Sequence, residues 1–250
     1  MAGHSHWAGI KHKKGAADAK RGKIFSKLAK FITVAAREGG GDAGANSKLK
    51  LAVEKARAAN MPKDNIERAI KKGTGDLGGV SFVELVYEGY APHNVAVVAD
   101  ILTDNRNRTA SELRHLFEKK GGILGSPGAV AWMFETKGLI EVPRDAISED
   151  DLMEIALEAG ADDVLSEGKS HQVFTTPEVF TAVREAIIAR ELEPTFSEVT
   201  RIPNNTVELT DASQAKKVLD FITEFEDHDD VQRISANFDI PDELLESLGD

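Results

Sequence analysis

The first third of the chain has apolar residues at helical spacing beside a row of lysines. A helix predicted over residues 18–37 places its apolar side chains on one face, namely Ile24, Phe25, Leu28, Phe31, Ile32 and Ala35. An adjacent face carries four ammonium groups, here called the lysine row, on Lys20, Lys23, Lys27 and Lys30. Gly39-Gly40-Gly41 ends this helix. Two shorter helices are predicted next, one capped by Asn46-Ser47 and one opened by Pro62.

Residues 1–75 are therefore predicted to form an extended basic arm and a small helical domain. The glycines between residues 73 and 79 indicate a linker. Beyond it the apolar period falls from 3.6 to 2, which favours strands at 82–90, 95–102 and 130–135. A helix is predicted over residues 107–120, between the second and third of these strands.

The stretch from residue 137 to 203 alternates strands and helices in the order β-α-β-β-α-β, which is typical of a ferredoxin-like unit. A strand at 206–209, a helix capped by Asp211 and a final strand at 231–236 follow. The simplest interpretation is an α+β, multidomain fold with one domain inserted in another. Its parts are a helical domain at 1–75, an α/β domain at 80–136 plus 204–240, and an inserted ferredoxin-like α/β domain at 137–203.

The charge of the chain is divided near residue 75. Residues 1–75 contain 17 Lys and Arg against 6 Asp and Glu, a net +11, whereas residues 76–250 contain 14 against 36, a net −22. The overall charge of −11 and the pI near 5.2 therefore conceal a basic module on an acidic body. Because clustered positive charge attracts polyanions, this asymmetry indicates a nucleic acid or an anionic membrane surface as partner.

The composition excludes several classes of protein. The chain has no cysteine, so disulfides, thiolate metal sites and a cysteine nucleophile are excluded. It has no apolar run of the roughly 18 residues that a membrane span needs, and its first residues lack the apolar core of a secretory signal. We therefore expect a cytoplasmic protein that does not span a membrane, and of the two partners that the charge allows we expect nucleic acid and no membrane. Two Tyr and two Trp are too few for a surface built on many stacking aromatics.

Six short motifs occur in order along the chain. They are Ala2-Gly3-His4-Ser5-His6-Trp7, Ile10-Lys11-His12-Lys13-Lys14, Asp18-Ala19-Lys20-Arg21-Gly22-Lys23, Asn60-Met61-Pro62-Lys63-Asp64-Asn65-Ile66, Tyr87-Glu88-Gly89-Tyr90 and Leu102-Thr103-Asp104-Asn105-Arg106-Asn107-Arg108-Thr109. In this set and order the chain resembles the YebC family, which includes mitochondrial translational activators of cytochrome oxidase subunit I. The turn Ala91-Pro92-His93-Asn94 departs from the Gly-Pro-x-Gly that is usual in that family.

The resemblance implies both a fold and a function. The fold that it implies has three domains, an N-terminal helical domain and two α/β domains, one inserted in the other. Bacterial members are usually described as probable DNA-binding transcriptional regulators. A ribosome-associated role that relieves stalling at proline runs is also implied.

The basic arm and the lysine row form the candidate nucleic-acid-binding site. Its residues are Trp7, Lys11, His12, Lys13, Lys14, Lys20, Arg21, Lys23, Lys27 and Lys30. Between residues 11 and 37 only Asp18 is acidic, so local ion pairs cannot balance the row; a solvated helix face is the alternative interpretation. Ammonium groups neutralise phosphates without reading bases. Trp7 is a candidate for stacking on an unpaired base, whereas Phe25 and Phe31 are assigned mainly to the core.

A second candidate contact lies in a strand-to-helix turn and comprises Asn105, Arg106 and Arg108. Either Thr103 or Asp104 is predicted to cap the helix that follows. The two arginines have the geometry to bind a phosphate or a carboxylate bidentately. The alternative is a structural cap with exposed arginines.

No pattern in the sequence indicates catalysis, a resident metal or a cofactor. Gly73-Thr74-Gly75-Asp76-Leu77-Gly78 matches G-x-G-x-x-G, but it follows a helix and precedes a strand, the reverse of a dinucleotide-binding turn. Without Met1, the terminus Ala2-Gly3-His4 would bind copper or nickel as any such terminus does, which we interpret as incidental. The acidic residues at 224–230 lack the spacing of an EF-hand and are interpreted as a solvated turn.

Together these features predict a cytoplasmic, non-enzymatic, nucleic-acid-binding regulator of gene expression. The favoured role is a translation factor that acts on the ribosome and relieves stalling, for example at proline runs. Ribosomal RNA would then contact the basic domain, and basic proteins would lie beside the acidic α/β domains. Three alternatives stay open: a DNA-binding transcriptional regulator, a protein–protein adaptor, and an enzyme that uses a metal in an acidic cleft.

Overall fold

The computed structural model describes residues 18–75 and 82–249 of the chain. Its first part contains three helices, α1 (Asp18–Gly39), α2 (Ser47–Ala58) and α3 (Lys63–Thr74). They confirm the three predicted helices. Gly75, with a φ of 94°, ends α3, and residues 76–79 of the predicted linker lie outside the described residues.

The cap before α2 links two of the three helices. The Asn46 side chain accepts a hydrogen bond from the backbone N–H of Leu49 (3.0 Å) and donates to the carbonyl oxygens of Ala35 (2.8 Å) and Gly40 (2.9 Å). One side chain therefore supplies a hydrogen-bond partner to a backbone N–H group at the start of α2 and to two carbonyl groups near the end of α1. The buried apolar cluster beneath is built from residues within 25–70, with Ile32, Leu49 and Ile66 at its centre.

The remainder of the described chain contains both strands and helices. Its strands are β1 (Val83–Ala91), β2 (Val95–Thr103), β3 (Ile123–Leu124), β4 (Phe134–Pro143), β5 (Asp163–Glu167), β6 (Ser170–Thr175), β7 (Phe196–Pro203), β8 (Val207–Glu208), β9 (Val231–Ala236) and β10 (Phe238–Asp239). Its helices are α4 (Arg106–Lys119), α5 (Glu149–Glu158), α6 (Phe180–Ile188), α7 (Ala212–Glu226) and α8 (Asp242–Gly249). Within the described residues, no helix combines the length and apolarity needed to cross a membrane.

The first large sheet is antiparallel, with the strand order β3-β1-β2-β9. One face of it packs against α4, α7 and α8, where the rings of Phe117, Phe221 and Phe225 meet at centroid distances of 4.5–5.3 Å. A β1–β2 hairpin lies at its centre. In the hairpin turn, His93 and Asn94 have φ values of 62° and 60°, in the left-handed region that favours glycine. His and Asn enter this region more readily than most residues, so the turn is kept without glycine.

The second large sheet is also antiparallel and has the strand order β5-β6-β4-β7. Its elements follow the predicted sequence β4-α5-β5-β6-α6-β7, and α5 and α6 cover one face through a core that includes Ile140, Leu152 and Val183. The mixed α and β character of the fold is thus confirmed. The division of the chain into three domains, one inserted in another, stays a prediction.

The strand predicted at residues 130–135 is wrong over most of its length. Residues Ala131–Met133 form a 3-10 turn, and β4 begins only at Phe134 and continues to Pro143 across the predicted domain boundary at 136. The physical reason is Glu88, which is buried and accepts hydrogen bonds from the N–H groups of residues 128, 130 and 131 (2.7–2.9 Å). These donors are therefore unavailable to a strand ladder.

Candidate nucleic-acid interface

The described residues contain only part of the predicted binding site. Trp7, Lys11, His12, Lys13 and Lys14 lie outside them. Lys20 and Arg21 belong to the first turns of α1. The positions of Lys23, Lys27 and Lys30 can be followed to their partners, which are supplied by a segment some 200 residues further along the chain.

Three lysines of the lysine row, Lys23, Lys27 and Lys30, lie against the carboxyl end of α7. The ammonium nitrogens (Nζ) of Lys23, Lys27 and Lys30 donate hydrogen bonds to the backbone oxygens of Asp227 (3.1 Å), Glu226 (2.5 Å) and Asp229 (2.9 Å), respectively. The last carbonyl groups of a helix have no partner within the helix, and the helix dipole makes this end negative. These three lysines on α1 therefore supply donors to carbonyl groups at and just beyond the end of α7, and Lys30 also pairs with the Asp230 carboxylate.

Asp230 is the centre of this contact, and only 3% of its side chain is exposed. One carboxylate oxygen accepts from Lys30 Nζ (2.6 Å), while the other accepts from Arg108 Nη2 (2.7 Å) and the Thr109 hydroxyl (2.7 Å). The Thr103 hydroxyl donates a fourth hydrogen bond, at 3.2 Å. We call these five residues the Asp230 cluster. It joins α1, the end of β2, the start of α4 and the segment before β9.

The charged partners determine the protonation of this carboxylate. Burial alone would raise the pKa of Asp230, but the hydrogen bonds from Lys30, Arg108 and Thr109, with the positive charge of Lys30, hold that pKa far below its usual range. Asp230 is therefore ionised at every physiological pH. An unpaired carboxylate at this depth would be costly, so the two cations are what allow it to be buried.

The residues of the second predicted contact, Asn105, Arg106 and Arg108, have different roles in the structure. Asn105 caps α4 by accepting a hydrogen bond from the backbone N–H of Arg108 (3.1 Å). The prediction that Thr103 or Asp104 is the cap was therefore wrong. The hydroxyl of Thr103 instead accepts from the backbone N–H of Asn105 (2.9 Å), which fixes the residue that does cap the helix.

The two arginines of this turn differ in their surroundings. Arg108 is held by Asp230, by Asp104 (3.1 Å) and, more distantly, by Glu112 (3.7 Å). Arg106 is exposed and has no side-chain partner among the described residues. Only Arg106 of this pair is therefore available to an external anion.

Further ionic contacts join the helices α1–α3 to the rest of the chain. They are Lys55–Glu198 (2.5 Å), Lys50–Glu185 (3.2 Å), Glu54–Arg184 (3.3 Å) and Lys48–Glu84 (3.6 Å). The buried apolar cluster of the three helices is drawn, among described residues, from positions 25–70 alone. The contact between the two parts of the chain therefore depends strongly on charge, and salt should weaken it where it is exposed.

A different set of cations remains unpaired on the surface of the helical part. Among the described residues, the side chains of Arg57, Arg68 and Lys71 are exposed and have no partner. The ammonium group of Lys72 lies over the ring of Phe82, 5.7 Å from the ring centroid, and has no carboxylate partner within the described part of the chain. Three of these four cations lie on α3. They were not among the residues predicted from the sequence, although the helical spacing of Arg68, Lys71 and Lys72 was a visible signal.

A groove of about 430 Å³ lies beside these cations, between α1 and α3. Its lining combines aromatic, basic and amide side chains and includes Phe25, Asn65, Arg68, Lys72 and Phe82. Phe25, assigned to the core by the sequence, is half-buried and also lines this groove. We call it the α1–α3 groove.

Glu112, His228 and Asp230 bring three potential metal ligands within 4.8 Å of one another. Their lone pairs are already used. The Nδ1 atom of His228 accepts from the backbone N–H of Asp230 (3.1 Å), which leaves the proton on Nε2, facing Glu112 at 3.1 Å. Two cations occupy the Asp230 carboxylate. This donor set does not suit a metal ion.

Comparison with known proteins places the chain in a family. A model of the TACO1/YebC protein N-terminal domain matches residues 5–76, and a model of the TACO1/YebC second and third domain matches residues 82–238. A "Probable transcriptional regulatory protein" of Syntrophobacter fumaroxidans is 57% identical over 248 residues, 99% of this chain and 100% of that protein. A protein of the same name from Natranaerobius thermophilus is 55% identical over 250 residues, with the same coverage.

A solved structure is similar over nearly the whole length. The crystal structure of the conserved hypothetical protein Aq1575 from Aquifex aeolicus matches with a TM-score of 0.84 and 49% identity, covering 96% of this chain and 99% of that one. The family resemblance predicted from six sequence motifs is thus confirmed. The chain belongs to the TACO1/YebC family.

Proposed function

We propose that this protein is a regulator of gene expression that binds nucleic acid through its basic N-terminal region. The relatives named as probable transcriptional regulatory proteins support the regulatory role. The observation that carries the binding role is charge: residues 1–75 have a net charge of +11, and four of their cations, on α2 and α3, have no carboxylate partner among the described residues. Unpaired cations gain most from phosphate, since binding costs them no existing contact.

We place this activity on the ribosome, as a translation factor that relieves stalling, for example at proline runs. The acidic part of the chain, with a net charge of −22 over residues 76–250, would be repelled by a continuous polyanion. Ribosomal RNA and basic ribosomal proteins lie side by side, so such a surface offers an attractive partner to each part of the chain. In this role the protein is not an enzyme, and it works in the cytoplasm.

A DNA-binding transcriptional regulator is the second candidate, and one feature favours it. Helices α2 and α3 are joined by four residues, 59–62, a spacing shared with helix-turn-helix modules, and α3 carries the unpaired cations. In this case α3 would enter the major groove of duplex DNA. The protein–protein adaptor is a weaker third candidate, in which a basic helix meets an acidic partner.

Cosedimentation with purified ribosomes over a salt series tests these roles. If about five phosphates are neutralised, log K should fall with log salt at a slope of about −3.5 to −4.5. Replacing Lys11, Lys13 and Lys14 by Glu should abolish binding. A control variant with Arg190, Lys216 and Lys217 replaced by Glu has the same change in net charge on exposed positions of the α/β part, and it should still bind.

Competition separates the candidates. Binding that survives an excess of duplex DNA supports the ribosomal role, and faster synthesis of a proline-run reporter on adding the protein would support relief of stalling. If duplex DNA strips the protein from ribosomes, the transcriptional regulator becomes the better account. Binding that resists nuclease and depends little on salt would support the adaptor.

A further inference from the structure

We propose that the α1–α3 groove holds an unpaired nucleotide of a single-stranded nucleic acid. This proposal rests on the proposed nucleic-acid-binding function and specifies where and how one nucleotide is bound. In it, Arg68 and Lys72 bind the phosphate, and Phe25 and Phe82 contact the base. None of these four residues belongs to the basic arm or the lysine row.

The available charges point to α3. Lys23, Lys27 and Lys30 are bound to the segment at and after the end of α7, so their use by a phosphate requires loss of contacts of 2.5–3.1 Å. Arg68 has no partner among the described residues, and Lys72 faces an aromatic ring rather than a carboxylate. On a helix, positions 65, 68 and 72 share one face, so Asn65, Arg68 and Lys72 all line the groove. A guanidinium presents a fork of N–H donors that matches phosphate oxygens.

The aromatic residues supply the other half of the site. Phe25 comes from α1 and Phe82 precedes β1, and both are half-buried where they line the groove. Bases stack on such rings irrespective of sequence, because every base has a π-face. The Asn65 side chain offers both a donor and an acceptor to a base edge. Asp104 is the one acidic residue in the described lining, so the local field remains positive.

The size of the groove favours one unpaired nucleotide over a duplex. A volume of about 430 Å³ lies within the range of sites that enclose a small molecule. A base paired inside a duplex exposes only its edges and has no free face for a ring to contact. The occupant is therefore a nucleotide whose base is unpaired, in a loop or in a single strand.

Fluorescence anisotropy with labelled 12-nucleotide strands tests the proposal in the full-length protein. The probes are one sequence as single-stranded RNA, as single-stranded DNA and as duplex DNA, each over a salt series. The wild-type protein should bind a single strand at least about tenfold more tightly than the duplex. Tighter binding of either single strand than of duplex supports the groove, and the comparison of RNA with DNA identifies the sugar.

Two kinds of variant separate charge from stacking. Arg68→Gln with Lys72→Gln should weaken binding and reduce the slope of log K against log salt by about 0.7, the value for one phosphate contact on a single strand. Phe82→Leu should weaken binding at least about fivefold and leave that slope unchanged. The matched controls, Lys216→Gln with Lys217→Gln and, separately, Phe196→Leu, should bind like wild type.

Phe25→Leu provides a second aromatic test in case Phe82→Leu unfolds the protein, which thermal unfolding by circular dichroism would reveal. Wild-type affinity in folded variants of both classes overturns the groove even if the protein still cosediments with ribosomes. A preference for duplex that depends on Arg68 also overturns it and favours α3 as a major-groove helix. Binding to an acidic peptide but to no nucleic acid would refute both the groove and the proposed function.

Discussion

Asp230 offers the sharpest test of how the two parts of the chain are joined. Replacing it by Asn keeps the shape of the side chain and removes the charge that Lys30, Arg108 and Thr109 share. Removing one partner of a buried ion pair typically costs about 3–5 kcal/mol. Here the two cations that lose this carboxylate keep other hydrogen-bond partners, which offsets part of the cost. Lys30 keeps its bond to a backbone oxygen, while Arg108 is 43% exposed and keeps two other carboxylates. We therefore expect the free energy of unfolding to fall by about 3 kcal/mol, the lower end of that range.

The pH dependence of this loss has a definite sign. The pKa of Asp230 is lowered by folding, whereas an unfolded aspartate binds a proton near a pKa of about 3.9. Its stabilising contribution is therefore complete above that pH and is lost as the pH falls toward the folded pKa. Between about pH 5 and pH 3 the difference between wild type and Asp230→Asn should narrow by about 1 kcal/mol.

Urea unfolding followed by circular dichroism measures both effects. The slope of free energy against urea must stay the same for the comparison to hold. Asp145→Asn is a suitable control, because Asp145 is exposed and has no side-chain partner among the described residues. A loss below about 1 kcal/mol at pH 7, or a difference that stays constant down to pH 3, would refute the role assigned to Asp230.

Three further perturbations test other parts of the fold. Glu88→Gln should cost about 1–3 kcal/mol and speed amide exchange in the loop that it anchors, because three backbone N–H groups, one of them buried, lose a charged acceptor whose pKa they lower against the effect of burial. Gly73→Ala should destabilise by about 1–3 kcal/mol in thermal unfolding, because a methyl would collide with the backbone of α1, whereas Gly22→Ala, in open space, should stabilise by up to about 1 kcal/mol. Replacing the three described lysines of the lysine row by Gln should raise the radius of gyration in solution scattering; an unchanged radius would mean that the other ionic contacts suffice.

Local signals in the sequence were sufficient for most helices and strands. The Asn46 cap and the Pro62 start of α3 are properties of a few neighbouring residues, and the structure has both helices where they indicate. The β-α-β-β-α-β order followed from a change of period, which is also local. The strand predicted at 130–135 failed because its N–H groups bond to Glu88, 40 or more residues earlier. Hydrophobic periodicity carries no information about such a distant acceptor.

The candidate site shows the same limit more strongly. The lysine row was correctly seen as lacking local ion pairs, but its partners lie near residues 226–230, about 200 positions away. Arg68 and Lys72 were not among the predicted site residues; they share their helix with two acidic residues, Asp64 and Glu67. In the structure Glu67 instead pairs with Lys63 (3.6 Å), which leaves Arg68 unpaired among described residues. Which cations are free to bind a phosphate therefore depends on tertiary contacts and cannot be determined from neighbouring residues in the sequence.

Asp230→Asn also decides between the two basic surfaces as the place where phosphate binds. A lysine bound to the end of α7 must release that contact before it can bind phosphate. The apparent affinity for phosphate is then the intrinsic affinity multiplied by the fraction of molecules in which the contact is open. If the lysine row binds nucleic acid, weakening the Asp230 cluster should raise the population of open molecules and tighten binding. If the α1–α3 groove binds it without opening, the affinity of Asp230→Asn should equal that of wild type, whereas the variants of Arg68, Lys72 and the ring residues should bind more weakly. Tighter binding in Asp230→Asn together with full affinity in the Arg68 and Lys72 variant would mean that the lysine row, released from α7, is the surface that meets the phosphates.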